Sequence, residues 1–173
     1  YAGVDQNICI GDQVILTAVS GSGSLITWDN GVIDGVAFTP TATTTYAAIV
    51  NDNGCVITDS IKVTLTSIDD ASFSYSELSF CLNDINQSPT VIETGGAYTY
   101  TTLSGGPSLL INSTNGAIDL NTSDQGTYNI TYTTNGTCPA NHNETLTLNS
   151  VPEINLNKTK EISWQSLKNW NID

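Results

Sequence analysis

The stretch TTYAAIVNDNGCVITDSIKVTL, residues 44–65, decides the fold, because a similar stretch, TYNITYTTNGTCPANHNETLTL, follows at residues 127–148. Both contain a Thr-Tyr pair, an Asn-Gly turn, a cysteine and an alternating run that ends on leucine, in the same order. The final leucine follows the cysteine by ten residues in each copy (65 − 55 and 148 − 138). Order and spacing that recur with the same chemistry indicate two tandem modules of one type.

Each copy has the pattern of a β-hairpin, with apolar and polar residues alternating on both sides of a turn that favours left-handed backbone. Elsewhere, short alternating segments are separated by Gly, Asn, Asp and Pro turns, as in a sandwich. In a chain of 173 residues, the repeat favours two domains of roughly 70–80 residues. We therefore predict an all-β chain of two tandem immunoglobulin-like antiparallel β-sandwiches, residues 1–67 and 68–150. Residues 151–173 are then a tail or the start of a further module.

The cysteines are distributed two to each module: Cys9 and Cys55, then Cys81 and Cys138. Four cysteines permit three pairings. Because tandem modules normally fold independently, we expect one disulfide inside each module, each closing a long loop worth roughly 4 kcal/mol. Four buried free thiols are the alternative, and the closely spaced Cys/His cluster of a metal site is missing from the sequence. Disulfides indicate an oxidising, extracellular compartment.

The sequence Asp124-x-Gly126-x-Tyr128 before an alternating strand has the pattern of the tyrosine corner of immunoglobulin-type sandwiches, and Tyr46 is its counterpart in the first module. In antibody domains the second cysteine follows the corner tyrosine by two residues, whereas here it comes after the next turn. An intra-module bond would then join the first strand to the start of the last. A plain immunoglobulin layout does not clearly bring those points to the Cα separation of about 4.4–6.8 Å that a disulfide needs. We therefore expect the topology to deviate from the antibody plan.

The chain is strongly acidic: 4 basic residues oppose 17 acidic ones, which gives 4 − 17 = −13. This argues against nucleic acid or an anionic membrane as partner, because both require clustered Lys or Arg. No apolar run approaches the roughly 18 residues of a membrane span. No cofactor is expected except calcium, for which Asp69 and Asp70 between the modules are the best candidate ligands, because hard cations take several carboxylate oxygens.

Aromatic residues offer the sharper binding hypothesis. Trp28 in the first module, and Tyr98 and Tyr100 on one face of a strand in the second, would serve as a sugar-stacking platform if exposed; core packing is the alternative. Catalysis finds no support, because His142 is the one histidine and no nucleophile elbow, phosphate loop or His-x-x-x-His motif occurs. We therefore do not expect an enzyme.

Several motifs resemble the immunoglobulin- or PKD-like repeats of very large surface proteins of Bacteroidetes. The resemblance covers about residues 5–150 and lies in CxGDQV at 9–14, TWxNG at 27–31, GVAFTPTATTTY at 35–46, NGxIDL at 115–120, GTY at 126–128 and TCP at 137–139. It implies export by type IX secretion and a role as a cell-surface adhesin, of which the gliding-motility adhesins are an example. It also implies O-glycosylation of Ser60 in Asp59-Ser60-Ile61. The sorting domain that ends such proteins is missing here, so we expect a fragment of a larger protein.

Three functions compete. The first is a non-catalytic repeat region of a secreted cell-surface adhesin, acting as a stalk or spacer or through weak multivalent binding. The second is a carbohydrate-binding module of a secreted enzyme. The third is a protein–protein assembly element that uses an edge strand or residues 151–173. The expected partner is a surface polysaccharide or a neighbouring surface protein.

Overall fold

A computed structural model describes residues 1–21 and 24–153. Of the segment 151–173, for which a tail or a further module is predicted, residues 154–173 lie outside the described residues. The described chain is all-β, as predicted, and the described residues include no helix that could cross a membrane. Its strands are β1 (Gln6–Cys9), β2 (Val14–Ile15), β3 (Ile26–Trp28), β4 (Ala37–Phe38), β5 (Thr44–Asp52), β6 (Cys55–Thr66), β7 (Phe73–Ser74), β8 (Ser79–Cys81), β9 (Thr90–Val91), β10 (Ala97–Gly105), β11 (Gly126–Thr133) and β12 (Asn141–Asn149).

Module 1, which comprises β1 to β6, is a sandwich of a four-stranded sheet, in the order β1-β6-β5-β3, and a two-stranded sheet of β2 and β4. The alternation read from the sequence decides which side chains face inward. Tyr46 of β5 lies opposite Ile61 of β6, and both are buried. Alternate residues of each strand therefore supply the core between the two layers, as strand geometry requires.

Module 2, which comprises β7 to β12, repeats this plan. Its four-stranded sheet has the order β10-β11-β12-β8, and a two-stranded sheet of β7 and β9 faces it. Its core is richer in aromatic rings, with Phe73 packed edge-on against Tyr98 at a centroid separation of 5.5 Å. The segments 109–112 and 117–120, which the sequence pattern predicts as strands, form no strand; they contribute two isolated bridges, which join Ile118 to Ile111 and to Gln87.

The two predicted hairpins have different outcomes. In module 1 the hairpin is confirmed: Asn53 and Gly54 take left-handed φ angles of 51° and 90°, and β5 and β6 pair from Asp52–Cys55 downward. In module 2 the segment between β11 and β12 is a longer loop, residues 134–140, closed by a backbone hydrogen bond from Thr134 to Ala140 at 3.0 Å. Pro139 has no N–H to donate, so a continuous ladder cannot run through this segment.

The strand pairs are antiparallel, as predicted, with one exception in each four-stranded sheet, where the first strand in chain order runs parallel to the last. β1 pairs with the end of β6, and β8 pairs with the end of β12. Both strands are short and carry few apolar residues, so their alternation is weak. Their pairing brings Cys9 opposite Thr66 and Cys81 opposite Asn149, at the end where the chain leaves each module.

The tyrosine corner predicted in module 2 is confirmed. Tyr128 is fully buried, and its hydroxyl lies 2.8 Å from the backbone carbonyl oxygen of Asp124, to which it donates. Burial is the main reason that the pKa of Tyr128 is raised, so the phenol stays protonated as a donor. Tyr46 matches it only in packing: its ring lies edge-on to Phe38 at 5.3 Å, and its hydroxyl has no hydrogen-bond partner among the described residues.

This difference between the two tyrosines gives a matched test. We expect Tyr128→Phe to lower the free energy of unfolding by about 1 kcal/mol or more, because the buried carbonyl of Asp124 loses its donor. Tyr46→Phe should change it by no more than a few tenths of a kcal/mol, because no hydrogen bond is lost. Urea unfolding followed by circular dichroism measures both. Equal effects of the two substitutions would contradict a structural role for the corner hydrogen bond.

Candidate functional site at the module joint

A disulfide joins the two modules. Cys9, at the end of β1, is bonded to Cys138, in the loop before β12, with a Cα–Cα distance of 5.6 Å and a sequence separation of 129. Cys55 and Cys81 are free and exposed. The predicted pairing of Cys9 with Cys55 and of Cys81 with Cys138 is therefore wrong, and so is the expectation of one disulfide inside each sandwich.

Strand geometry explains why the intra-module bonds cannot form. Cys55 begins β6, whereas Cys9 lies beside Thr66 at the other end of the same strand, 66 − 55 = 11 residues away. At about 3.3 Å per residue this distance is roughly 36 Å, several times the Cα separation that a disulfide tolerates. In module 2, Cys138 precedes β12 and Cys81 lies beside its far end, so the same argument applies.

Asp69 ties the segment between the modules to the loop that carries Cys138. Its backbone N–H donates to the carbonyl of Cys138 at 2.9 Å, and its carboxylate oxygen Oδ2 accepts the N–H of Gly136 at 3.0 Å. A β-carbon built on Gly136 would lie against both oxygens of this carboxylate. The position therefore has room for glycine but not for a larger residue. Asp69 and the disulfide thus hold the same loop from two sides.

Asp70 makes a separate contact, within its own module. Its carboxylate accepts the backbone N–H of Ser72 at 2.9 Å. Hydrogen bonds from Ser72, from its side chain first and then from its backbone, lower the pKa of Asp70. The two carboxylates at the joint therefore each accept backbone donors.

Calcium binding by Asp69 and Asp70 stays a prediction. Within residues 1–21 and 24–153, no group of three or more His, Cys, Asp or Glu side chains is arranged to hold a metal ion. Calcium takes about six to eight oxygen ligands, so backbone and amide oxygens would have to supply most of them. The contacts that the structure does provide use both carboxylates to position the chain between the modules.

The three aromatic side chains predicted as a sugar-stacking platform do not form one. Trp28 is 7% exposed and Tyr98 is 3% exposed, so neither presents a ring face to solvent. The indole N–H of Trp28 donates to Asp34 at 2.8 Å, which satisfies its one polar atom inside the module. Tyr100 is half-buried against the core of module 2, where its hydroxyl accepts the N–H of Leu109 at 3.3 Å. Core packing, the alternative interpretation, explains all three.

The remaining predicted residues take no part in the hydrogen bonds of Asp69 and Asp70 at the joint. Ser60 is exposed on β6, beside the carboxylate of Asp59, so its glycosylation stays a prediction. Backbone hydrogen bonds, from Ala2 first and then from Ser60, lower the pKa of Asp59. His142 packs edge-on against Phe73 at a centroid distance of 5.7 Å, which is a structural contact.

No family model and no curated protein matches the chain. Among solved structures it is similar to a SusE-like surface-located polysaccharide-binding protein from the heparin utilisation locus of Bacteroides thetaiotaomicron, with 12% identity, a TM-score of 0.42, and coverage of 85% of this chain and 33% of that one. Extracellular domains 3–5 of Drosophila OTK give 10% identity, a TM-score of 0.45, and coverage of 86% and 60%. The insect immune protein hemolin gives 16% identity, a TM-score of 0.38, and coverage of 87% of this chain and 46% of that one. The chain thus spans about a third of the SusE-like protein, and at these scores the similarity carries no information on function.

The disulfide assignment predicts a specific peptide map. Proteolysis of the non-reduced protein after thiol alkylation should yield one cross-linked pair of peptides, containing Cys9 and Cys138, and alkyl adducts on Cys55 and Cys81. Mass spectrometry before and after reduction identifies both. A cross-link between Cys9 and Cys55, or between Cys81 and Cys138, would overturn the joint described here.

The role of Asp69 predicts a local loss of protection. We expect Asp69→Ala to speed amide hydrogen exchange at Gly136 by about tenfold, because its N–H loses a hydrogen bond worth roughly 1–1.5 kcal/mol. Gly136→Ala should have a similar effect by displacing the carboxylate. Asp70→Ala is the matched control, since it removes the neighbouring carboxylate but leaves this loop untouched. Equal exchange at Gly136 in the wild type, Asp69→Ala and Asp70→Ala would contradict the contact.

Proposed function

We propose that this chain is a non-catalytic repeat region of an exported cell-surface adhesin, in which tandem modules act as a spacer that holds binding elements away from the cell. The observation that carries the proposal is the covalent joint. A bond from the first strand of one module to a loop of the next fixes where the second module begins relative to the first. Domain pairs joined only by a linker are expected to move relative to each other unless their interface is large.

The chemistry of the joint supports an extracellular location. Disulfides persist in oxidising compartments and are rare in the cytosol. The net charge of −13 suits an exported protein whose acidic surface favours solubility. Type IX secretion and a part in gliding motility come from the resemblance to Bacteroidetes surface repeats and belong to the proposal.

Binding by such an array would rest on repetition. Individually weak contacts with a surface polysaccharide or a neighbouring surface protein gain strength when many modules act together, provided that the spacing allows simultaneous engagement. A joint of fixed geometry keeps that spacing constant. We propose no reaction for this chain, because its sequence contains no recognisable catalytic motif.

The two alternative functions fare differently. The carbohydrate-binding module loses its motivation, because Trp28 and Tyr98 are buried. Trp28→Ala would also be uninformative as a test of sugar binding, since removing a buried aromatic ring costs roughly 3–5 kcal/mol of stability. The assembly element keeps one supporting feature: β10 is a nine-residue strand with one sheet neighbour among the described residues. The register shift between Thr102 and Ser104 interrupts this edge, as bulges at sheet edges do.

Small-angle scattering tests the spacer function. The wild-type chain should give a narrow distribution of inter-module distances. The double variant Cys9→Ser with Cys138→Ser should give a broader one, because only the segment around Asp69 then connects the modules. The double variant Cys55→Ser with Cys81→Ser is the matched control and should scatter like the wild type. A wild-type distribution as broad as that of the bond-deficient variant would contradict a spacer of fixed geometry.

A further inference from the structure

Cys81 occupies the position in module 2 that Cys9 occupies in module 1. Each ends the short strand that runs parallel to its module's last strand, opposite Thr66 in one case and Asn149 in the other. In both, the residue after the cysteine donates its backbone N–H to the carbonyl of that opposite residue, at 3.0 Å and 2.9 Å. The two thiols therefore leave their modules at equivalent points.

The turns that follow the two cysteines match as well. Asp12 and Asp84 each donate a backbone N–H to the carbonyl of the cysteine three positions earlier, at 3.0 Å and 3.3 Å. The preceding residues, Gly11 and Asn83, both take left-handed φ angles, 98° and 66°. Cys81 thus has the complete backbone setting of a disulfide-bonded cysteine, yet it is exposed and free.

Cys55 corresponds to Cys138 in its place along the sequence of its module, although the two connections differ in conformation. Both follow an Asn-Gly pair in the connection between the last two strands of their module. Cys138 is bonded to the module before it in the chain. Cys55 lies at the tip of the β5–β6 hairpin, exposed and free, at the opposite end of module 1 from Cys9. The chain therefore carries one unused half of the joint at each end.

Exposed apolar side chains adjoin both free thiols. Beside Cys55, Val56 is 58% exposed and Ile57 is 70% exposed, on a part of β6 that extends beyond the core. Close to Cys81, Ile85 is 77% exposed. Exposed apolar groups a few residues from a free thiol are suited to being covered when a partner docks there.

We propose that Cys81 of one molecule and Cys55 of a second copy of this chain form the bond that Cys9 and Cys138 form within it. The modules would then be joined head to tail by one repeated type of disulfide. The contact is heterologous, because the two surfaces differ, and it generates an open linear assembly when the rotation between successive copies does not close. This inference goes beyond the spacer function, and scattering by the single chain does not bear on it.

The bond needs a disulfide oxidant, for which oxidised glutathione serves. The Cys81 thiolate attacks one sulfur of oxidised glutathione, which forms a mixed disulfide and releases one glutathione thiolate. The Cys55 thiolate of the second molecule then attacks the Cys81 sulfur and releases the other glutathione. In total, two cysteine thiols are oxidised to one disulfide, and one glutathione disulfide is reduced to two thiols, which take up the two protons.

The test mixes two single variants in a glutathione redox buffer. Cys55→Ser keeps only Cys81 free, and Cys81→Ser keeps only Cys55 free, so each alone should stay monomeric on a non-reducing gel. Their mixture should stop at a dimer of one molecule of each, whereas the wild type should form a ladder of higher species. Mass spectrometry of the cross-linked species should identify a Cys55–Cys81 peptide pair. Circular dichroism confirms that both variants fold.

A displaced thiol separates specific docking from general thiol reactivity. This control is a triple variant, Glu77→Cys, Cys81→Ser and Cys55→Ser. It carries one exposed free thiol, at a different place on module 2. Mixed with Cys81→Ser, it should give no dimer above the level of either variant alone. The proposal is overturned if this variant cross-links as well as Cys55→Ser does, if either single variant dimerises alone as fully as the mixture, or if only glutathione adducts form.

Discussion

The parallel pairing of β1 with β6 in module 1, and of β8 with β12 in module 2, is the constraint on which the rest of this structure depends. β1 could have paired antiparallel at another edge of the sandwich, and Cys9 would then have faced its own module. Parallel pairing instead places Cys9 at the end of β6, where the chain crosses into the next module. From this position a thiol can reach the following module and cannot reach Cys55 at the far end of the same strand.

The joint combines a covalent bond with hydrogen bonds that act on the same loop. Residues 134–140 do not form the tight hairpin seen in module 1, and the loop gains its order from outside its own strands. Asp69 accepts one backbone donor from it and donates to one of its carbonyls. The disulfide then fixes Cys138, which is almost fully buried although it belongs to neither apolar core. The difference between the two β-hairpin regions thus combines the effect of Pro139 with these contacts at the joint.

The features predicted correctly from the sequence are those written in local patterns. The alternation of Thr44–Leu65 around Asn53-Gly54 predicts the long hairpin, and Asp124-x-Gly126-x-Tyr128 predicts the corner hydrogen bond. The disulfide could not be obtained in this way, because it depends on β1 and β8, whose few residues lack a clear alternation and gain stability only from the strand beside them. One signal was available. A cysteine that precedes the last strand lies a full strand length from any residue beside that strand's far end, and this distance already excludes a disulfide inside the module. Asp69 was recognised as a joint residue, but its partners are backbone groups of a distant loop that local sequence does not reveal.

The disulfide also determines how the chain would carry tension. If the protein is pulled by its two ends, force enters at residues before Cys9 and leaves at residues after Cys138, and between them it passes through the sulfur–sulfur bond. The 129 residues of sequence separation, which include most of both apolar cores, then bear almost no load. At about 3.3–3.6 Å per extended residue, roughly 430–460 Å of chain is withheld from stretching. A reductant would release this hidden length, so only the residues outside 9–138 could extend in an oxidising medium, whereas the whole chain could extend in a reducing one.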